Sequence, residues 1–484
     1  MIDEETLKKY DLTVGIECHV QLATVTKLFS GADNDERDKS PNSVVSPIDF
    51  GLPGMLPVLN RGAVDLAIKA GKALNSPVAH VSRFDRKHYF YPDLPKGYQT
   101  TQMYQPIIGP GVINVPLDDG SSVDVRIHHA HMEEDAGKLT HHGSFSLVDL
   151  NRAGTPLIEI VSEPDIHSAV TAKAFAIELY NLMTYAGVTR GDLYHGNMRF
   201  DVNISAALKG STELGTRSEV KNLNSFRSVE RAVDFEFRRQ IEMLEKGEPV
   251  VQETRGWDEA KQKTSPQRSK ENAQDYRYMP DADIPPVVLT DDEINRIQLD
   301  MPKLPPFYRE SWKDIGFDPT ITNALLSSQD RAMAVQHIFE AMGPSGARYF
   351  GSMQLLTDAI LEKNIDDKPK YVPSIESQED LIRMIEENVL SFTAAKDVYF
   401  EMYLTGKSPR EIATDKNLIQ VSDEGEIMTL VNEVLNDIST KQAVDDLKNG
   451  NEKVIGFLVG QVMKKSGGKA NPSLVQKLIR ERIK

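Results

Sequence analysis

The sequence predicts an α+β protein in which strands and a covering helix come first and helices alone follow. Three observations carry that expectation. Segments before about residue 290 alternate apolar and polar residues with period two, as half-buried strands do. Pro285, Pro286, Pro302, Pro305 and Pro306 then mark a change of composition and a domain boundary. Beyond it, residues 311–411 read as helix after helix, and 423–484 continue helically.

The bulk numbers bound the rest. At 484 residues the chain exceeds one core and suits about three domains. Its 40% hydrophobic and 26% charged content is that of a soluble globular protein. It lacks an apolar run of about eighteen residues and starts with acids, so neither a membrane span nor a signal peptide is expected, and the default location is cytoplasmic. The single cysteine, Cys18, excludes an internal disulfide and a cysteine-clustered zinc site. A net charge of −16 argues against coating nucleic acid by charge alone. Residues 453–484 nevertheless carry eight Lys or Arg against one Glu, so the end of the chain reads either as a solvated basic tail or as a nucleic-acid contact.

Taken in order, residues 12–22 (LTVGIECHVQL) form a strand with Glu17, His19 and Gln21 on one face. A carboxylate and an imidazole so placed can share a metal ion or a proton, although an ordinary solvent face is the commoner use of such positions. Residues 49–57 (DFGLPGMLP) make a tight loop, and 61–74 make a structural helix. Residues 84–102, dense in Tyr, Lys and Arg and stiffened by Pro92 and Pro95, read as a binding loop. Residues 126–165 hold five histidines (His128, His129, His131, His141, His142) and the pair Glu133 and Glu134 where a strand meets a Gly-containing loop. Two strand-like runs there, 144–151 and 156–163, flank the Arg152–Pro156 turn and read as a hairpin. Burying so many ionisable groups is costly, which marks the stretch as a site.

Further on, Arg199, Asp201 and Asn203 share one strand face, and Arg217, Glu219 and Lys221 another. Strands at Glu17, Glu133, Asp201 and Glu219 thus each offer a carboxylate; side by side in one sheet they would suit Mg²⁺. An amphipathic helix at 228–246 covers the sheet; 252–286 reads on charge as a disordered linker, but its Trp257, Tyr276, Tyr278 and Met279 favour an ordered loop closing over the site. No P-loop, GxGxxG, HExxH or serine nucleophile elbow is present.

Together VGIECHVQL, FDRKHYFYPDLPKGYQTTQ, HMEEDAGK, VDLNRAGTPLIEIVSEPD, SEVKNLNSF, and QETRGWDE with DYRYMPDADIPP resemble the GatB family of the bacterial glutamyl/aspartyl-tRNA amidotransferase complex GatCAB. The resemblance covers essentially the whole chain. It implies a mainly antiparallel β cradle with flanking helices (1–299), an all-helical domain (300–411) and a small YqeY-like tail (412–484) that contacts tRNA. It implies two partner proteins, the amidase GatA and the small GatC, with ATP and Mg²⁺ as cofactors. The reaction implied is phosphorylation of the side-chain carboxylate of misacylated Glu-tRNA(Gln) or Asp-tRNA(Asn), followed by displacement of phosphate by glutamine-derived ammonia.

The same resemblance implies catalytic roles for Glu17, His19, Glu133, Glu134, Lys87 and Arg152. Glu17, His19, Glu134, Asp201 and Glu219 are the implied metal ligands, and Lys87, Arg199 and Lys221 the implied cofactor-binding cations. None of the five histidines of 126–165 is then needed as a ligand. Many relatives carry cysteine pairs for zinc where this chain has Ser30, Ala32, Ser46 and Asp49, so no structural zinc is expected and packing should hold that loop. The alternative kept open is a noncatalytic tRNA-binding scaffold, for which Glu134→Ala would leave phosphate release from ATP unchanged.

Overall fold

The computed structural model describes residues 2–269, 275–363, 371–420, 424–467 and 469–483. It divides into two compact units, Met1–Phe307 and Tyr308–Lys484.

After the one-turn helix Glu4–Leu7, the first unit has β1 (Tyr10–Gln21) and the helix Arg61–Ala73, then β2 (Val81–Ser82), β3 (Asp85–His88) and β4 (Tyr98–Thr101). Next come β5 (Gly111–Pro116), β6 (Ser122–Glu134), β7 (Lys138–His142), β8 (Phe145–Asp149) and β9 (Pro156–Ser162). The helix Ala169–Tyr185 leads to β10 (Met198–Leu208) and β11 (Ser218–Leu223), and the helix Phe226–Glu245 to β12 (Glu253–Asp258) and β13 (Lys263–Ser269). Two-residue strands β14 (Met279–Pro280) and β15 (Val287–Val288) and the helix Asp291–Leu299 complete it.

Eight strands form one sheet in the order β13-β12-β11-β10-β1-β9-β6-β5, antiparallel at every junction but β11–β12. β1 shows why it sits in the middle. Val14, Ile16, Cys18 and Val20 are wholly buried, in one core with Phe175, Leu179, Val229 and Val233 of the two long helices. Each such aliphatic side chain contributes about 1.5–3 kcal/mol on burial. Glu17, His19 and Gln21, of opposite parity, are left on the other face. The covering helix starts earlier than its periodicity suggests, because Ser225 caps it by accepting from the Ser228 amide at 3.0 Å.

The hairpin expected across Arg152–Pro156 is not formed. β8 pairs instead with β7 through the turn at Gly143 (φ 47°), while β9 lies between β1 and β6. The burial of the two runs explains this. PLIEIVS is buried along nearly its whole length and needs a neighbour on each side; FSLVD is exposed and does not. The loop carrying Ser30, Ser46 and Asp49 is fastened by charge as well as packing. Lys27, wholly buried, lies 3.4 Å from Asp49 Oδ2 and donates to the Ala153 carbonyl, while the Ser30 hydroxyl and the Ser46 amide donate to the same Oδ2.

In the second unit local signals set the helices. Ser374 caps Ile375–Glu386, and Gly406 (φ 70°) ends Phe392–Thr405. Gly343 (φ 74°) breaks the long segment Gln329–Lys363 into two. The helices Glu424–Leu435, Lys441–Lys448, Ile455–Lys465 and Pro472–Ile483 enclose a core of their own, with Ile427, Val431, Leu458, Val462 and Leu478 at its centre. Of the hinge expected at Gly467 and Gly468, Gly468 lies outside the described residues. Among the described residues no helix is long and apolar enough to cross a membrane.

Candidate functional site

The polar face of β1 is the centre of the site, and register decides what meets there. Glu17 stands directly opposite Asp201 on β10, His19 opposite Arg199 on β10 and Glu159 on β9, and Glu159 opposite His131 on β6. Glu219 of β11 faces Asn203 of β10. Directly opposed residues hold their Cβ atoms about 5 Å apart, so these side chains converge. Two groups result: Glu17, Asp201 and Glu219, and His19, Glu133 and Glu159, each with one donor atom per residue lying within 4.8 Å of the others.

The first group is all oxygen. Burial pushes the Glu17 carboxyl above its usual range, and the neighbouring charges of Glu159, Glu219 and Asp201 push it further. Lys221 Nζ lies 3.1 Å from both Asp201 and Glu219, and these acids raise its pKa although burial alone would lower it. Asn203 donates to Glu17 at 3.0 Å, Thr254 to Glu219 at 2.9 Å and the Asn222 amide to Asp201 at 2.8 Å. That last contact depends on Asn222 adopting φ 60°, where the β10–β11 register shifts.

The second group mixes nitrogen and oxygen. His19 Nε2 is 3.7 Å from Glu133 and 3.6 Å from Glu159; His131 Nε2 is 3.3 Å from Glu159 and 3.7 Å from Glu133. Burial would raise the Glu159 pKa, but His19 and His131 outweigh it and hold this carboxyl well below the usual range. The same acids keep His131 charged against its burial, with its pKa pushed up to about 10. A chain of imidazoles leads outward from it, His129 at 3.1 Å and then His128 at 2.7 Å from His129.

The cations divide by task. Lys87 is half-buried; desolvation works against its charge, but Glu133 and Glu159 raise its pKa, and its Nζ sits 4.9 Å from the Tyr276 ring centre. Arg199 donates to Asp135 at 2.7 Å. Arg152 reaches the same Asp135 at 3.4 Å but spends its hydrogen bonds on the Ala136 and Gly137 carbonyls, fixing the turn after β6. Asp135 is thereby held ionised: burial would raise its pKa, and Arg199 and Arg152 lower it.

Glu134 is not brought to the polar face of β1. Side chains alternate along a strand, so of two adjacent acids only one can face His19, and that is Glu133. Glu134 instead ion-pairs with Lys96 and accepts from the Thr100 amide at 2.9 Å. Beside His19 and Glu133 stands Glu159, which the sequence reading did not single out; nor did it single out Asp135, and it set His131 aside. The available signal was one acid inside the apolar run PLIEIVS, which period two alone could not assign to a partner strand.

As for a metal, three carboxylates within 4.8 Å of one another fit a hard divalent cation, and Glu133 and Glu159 with one imidazole make a second, less purely oxygen set. The net negative charge of the first group, only partly answered by Lys221, is of the sign a cation relieves.

Comparison with known proteins follows the same division of the chain. The family description GatB/GatE catalytic domain matches residues 12–295, and the GatB domain of YqeY type matches 355–483. The chain is 44% identical over 483 residues to the aspartyl/glutamyl-tRNA(Asn/Gln) amidotransferase B subunit of Persephonella marina, covering 98% of this chain and 100% of that protein. It is 42% identical over 481 residues to the B 1 subunit from Clostridium acetobutylicum, covering 97% and 98%, and 41% identical over 495 residues to the B subunit from Rickettsia bellii, covering 99% of each.

Proposed function

This chain belongs to the GatB family, and from that premise we propose that the polar face of β11-β10-β1-β9-β6 binds ATP with Mg²⁺ and phosphorylates the side-chain carboxylate of a misacylated tRNA. Members of the family serve, with the amidase GatA and the small protein GatC, in the tRNA-dependent amidotransferase, a ligase of translation that converts Glu-tRNA(Gln) and Asp-tRNA(Asn). The observation that carries the reading is the register that sets five carboxylates and His19 of five adjacent strands on one face.

Chemistry supports it. A carboxylate resists ammonia because its oxide is a poor leaving group, whereas an acyl phosphate exchanges a C–O bond for the C–N bond and releases phosphate. Phosphoryl transfer asks chiefly for positioning and charge neutralisation. Mg²⁺ at Glu17, Asp201 and Glu219, and at His19, Glu133 and Glu159, would supply that neutralisation to phosphate oxygens. Lys221, Lys87 and Arg199 add fixed positive charge around it. Arg152 positions the turn that carries Asp135, the partner of Arg199, and Glu134 positions Lys96. The division at 1–299, 300–411 and 412–484, the tail's contact with tRNA and a cytoplasmic location belong to the same proposal.

The test is the complex reconstituted with GatA and GatC, followed for Glu-tRNA-dependent ATP hydrolysis and for amide formation from glutamine. Glu17→Gln and Asp201→Asn should abolish both while leaving glutaminase activity. Hydrolysis that survives the two substitutions together would leave the scaffold reading standing.

A further inference from the structure

Beside the carboxylate groups lies an aromatic strip that the phosphorylation chemistry does not use. β14 pairs with β3 (Met279 opposite Arg86), and the His88 amide donates to the Tyr276 carbonyl at 2.9 Å. His88 Nδ1 lies 3.0 Å from the Arg277 carbonyl, and Arg86 pairs with Asp281 at 3.0 Å and Asp283 at 2.7 Å. This stitching is tight enough to hold Arg277 at φ 44°, left-handed backbone that a long side chain rarely adopts and that concentrates at functional sites.

The strained turn carries Tyr276 and Tyr278, and Tyr89 after β3 and Tyr104 after β4 pack against them. Tyr276 meets Tyr89 at 6.2 Å and Tyr278 at 6.1 Å between centroids, and Tyr278 meets Tyr104 at 6.5 Å, all edge to face at 70–73°. Tyr89, Tyr276 and Tyr278 are half-buried and Tyr104 is 63% exposed. Among the described residues none of their hydroxyls meets a hydrogen-bond partner, so their polar ends serve no internal network. The cations Arg83 and Arg277 are exposed at the margin, and Lys87 joins the strip to Glu133 and Glu159.

We propose that this strip is the stacking platform for the unpaired 3′ end of the aminoacyl-tRNA, with Tyr276 and Tyr278 as positioning residues that deliver the terminal nucleotide's ester past Lys87 to the carboxylates. The inference rests on the tRNA-activating reading above. Partly exposed tyrosine rings beside cations are a means by which proteins hold single-stranded nucleic acid, since every base has a face to stack and every phosphate a charge to meet. Four rings in a row, three half-buried and Tyr104 exposed, suit successive unpaired nucleotides better than the one base of ATP.

The test uses the full complex with GatA, GatC and Glu-tRNA. Tyr276→Leu and Tyr278→Leu should each raise the KM for Glu-tRNA about 5- to 150-fold, the worth of a stacked base. The KM for ATP and the melting temperature should stay as in wild type, and Tyr276→Phe, which keeps the ring, should restore the KM. Independently, 2-aminopurine in place of the tRNA's terminal adenine should be quenched on binding to the wild-type complex and less so with Tyr276→Leu. An unchanged KM for Glu-tRNA, a rise confined to ATP, or quenching that survives the substitution would each overturn the proposal. A wild-type complex without tRNA-dependent ATP hydrolysis would instead overturn the activation reading on which it stands.

Discussion

Two buried charge networks of the first unit look alike in composition and differ in balance. Under the covering helix, Glu236, wholly buried, is gripped by Arg239 at both carboxylate oxygens, lies 3.4 Å from Arg255 and accepts from Thr264 at 3.0 Å, while Glu253 pairs with both arginines. Two acids there answer two guanidinium groups. On the polar face of β1, five carboxylates gather, Arg199 is committed to Asp135, and Lys221, Lys87 and two imidazoles are left to neutralise them. A balanced, hydrogen-bonded network is complete as it stands and is costly only when broken. An acid-rich one keeps raised carboxyls such as Glu17 and gains from a cation, which is how a binding site differs from a structural ion cluster.

The sharpest way to break that comparison is to remove one partner from the balanced side. Arg255→Met leaves Glu236 buried and under-compensated and should cost about 3–5 kcal/mol of unfolding stability, read as a lower urea midpoint. On the acid-rich side the effect should fall on activity. Glu159→Gln or Asp201→Asn should lower kcat by about 100- to 1,000-fold, on the order of the loss when one electrostatic group leaves a transition state, with the melting temperature unchanged or higher.

Mg²⁺ separates the two networks further. At about 100 times its Kd it should stabilise the wild-type chain by about 2.7 kcal/mol; Glu17→Gln should lose most of that gain and Arg255→Met none of it. Calorimetry with and without the ion measures both. A smaller effect lies in pH. Arg199 and Arg152 depress the Asp135 carboxyl, so its contribution to stability is present above the unfolded carboxylate pKa of about 3.9 and is lost as pH falls through the lower folded value. Asp135→Asn should therefore flatten the acid limb of the stability curve below about pH 4 and reduce stability at neutral pH.

The smallest expected effect concerns the basic end. Its helices build the core around Leu458, Val462 and Leu478, so cutting the chain there would destroy that core. Lys465, Lys477 and Arg480 are already paired with acids. Lys453→Gln, Lys464→Gln and Lys469→Gln together should leave folding intact and reduce the salt slope of tRNA binding by about 2–3 units if all three meet phosphate.

What the sequence made legible was whatever depends on near neighbours. Period two put Glu17 and His19 on one face of β1, and a serine cap and a left-handed glycine bounded helices of the second unit. The alternation rule also applied to Glu133 and Glu134, where it allows only one acid per face; the resemblance put Glu134 among the ligands, and the strand turns Glu133 toward His19 and Glu134 toward Lys96. Pairing was not legible. That PLIEIVS inserts between β1 and β6, instead of folding back on FSLVD, depends on partners distant in sequence, and with it went Glu159 and its contact with His131. Motif resemblance supplied the chemistry, while cross-strand register divided the acids into two groups.

The central claim, that the acid-rich face holds the divalent cation and the balanced network does not, is tested most directly by Mn²⁺ binding followed by electron paramagnetic resonance. Bound Mn²⁺ is expected in the wild-type chain and in Arg239→Gln, and its loss is expected in Glu17→Gln with Asp201→Asn. Mn²⁺ held equally well after the Glu17 and Asp201 substitutions would contradict the account.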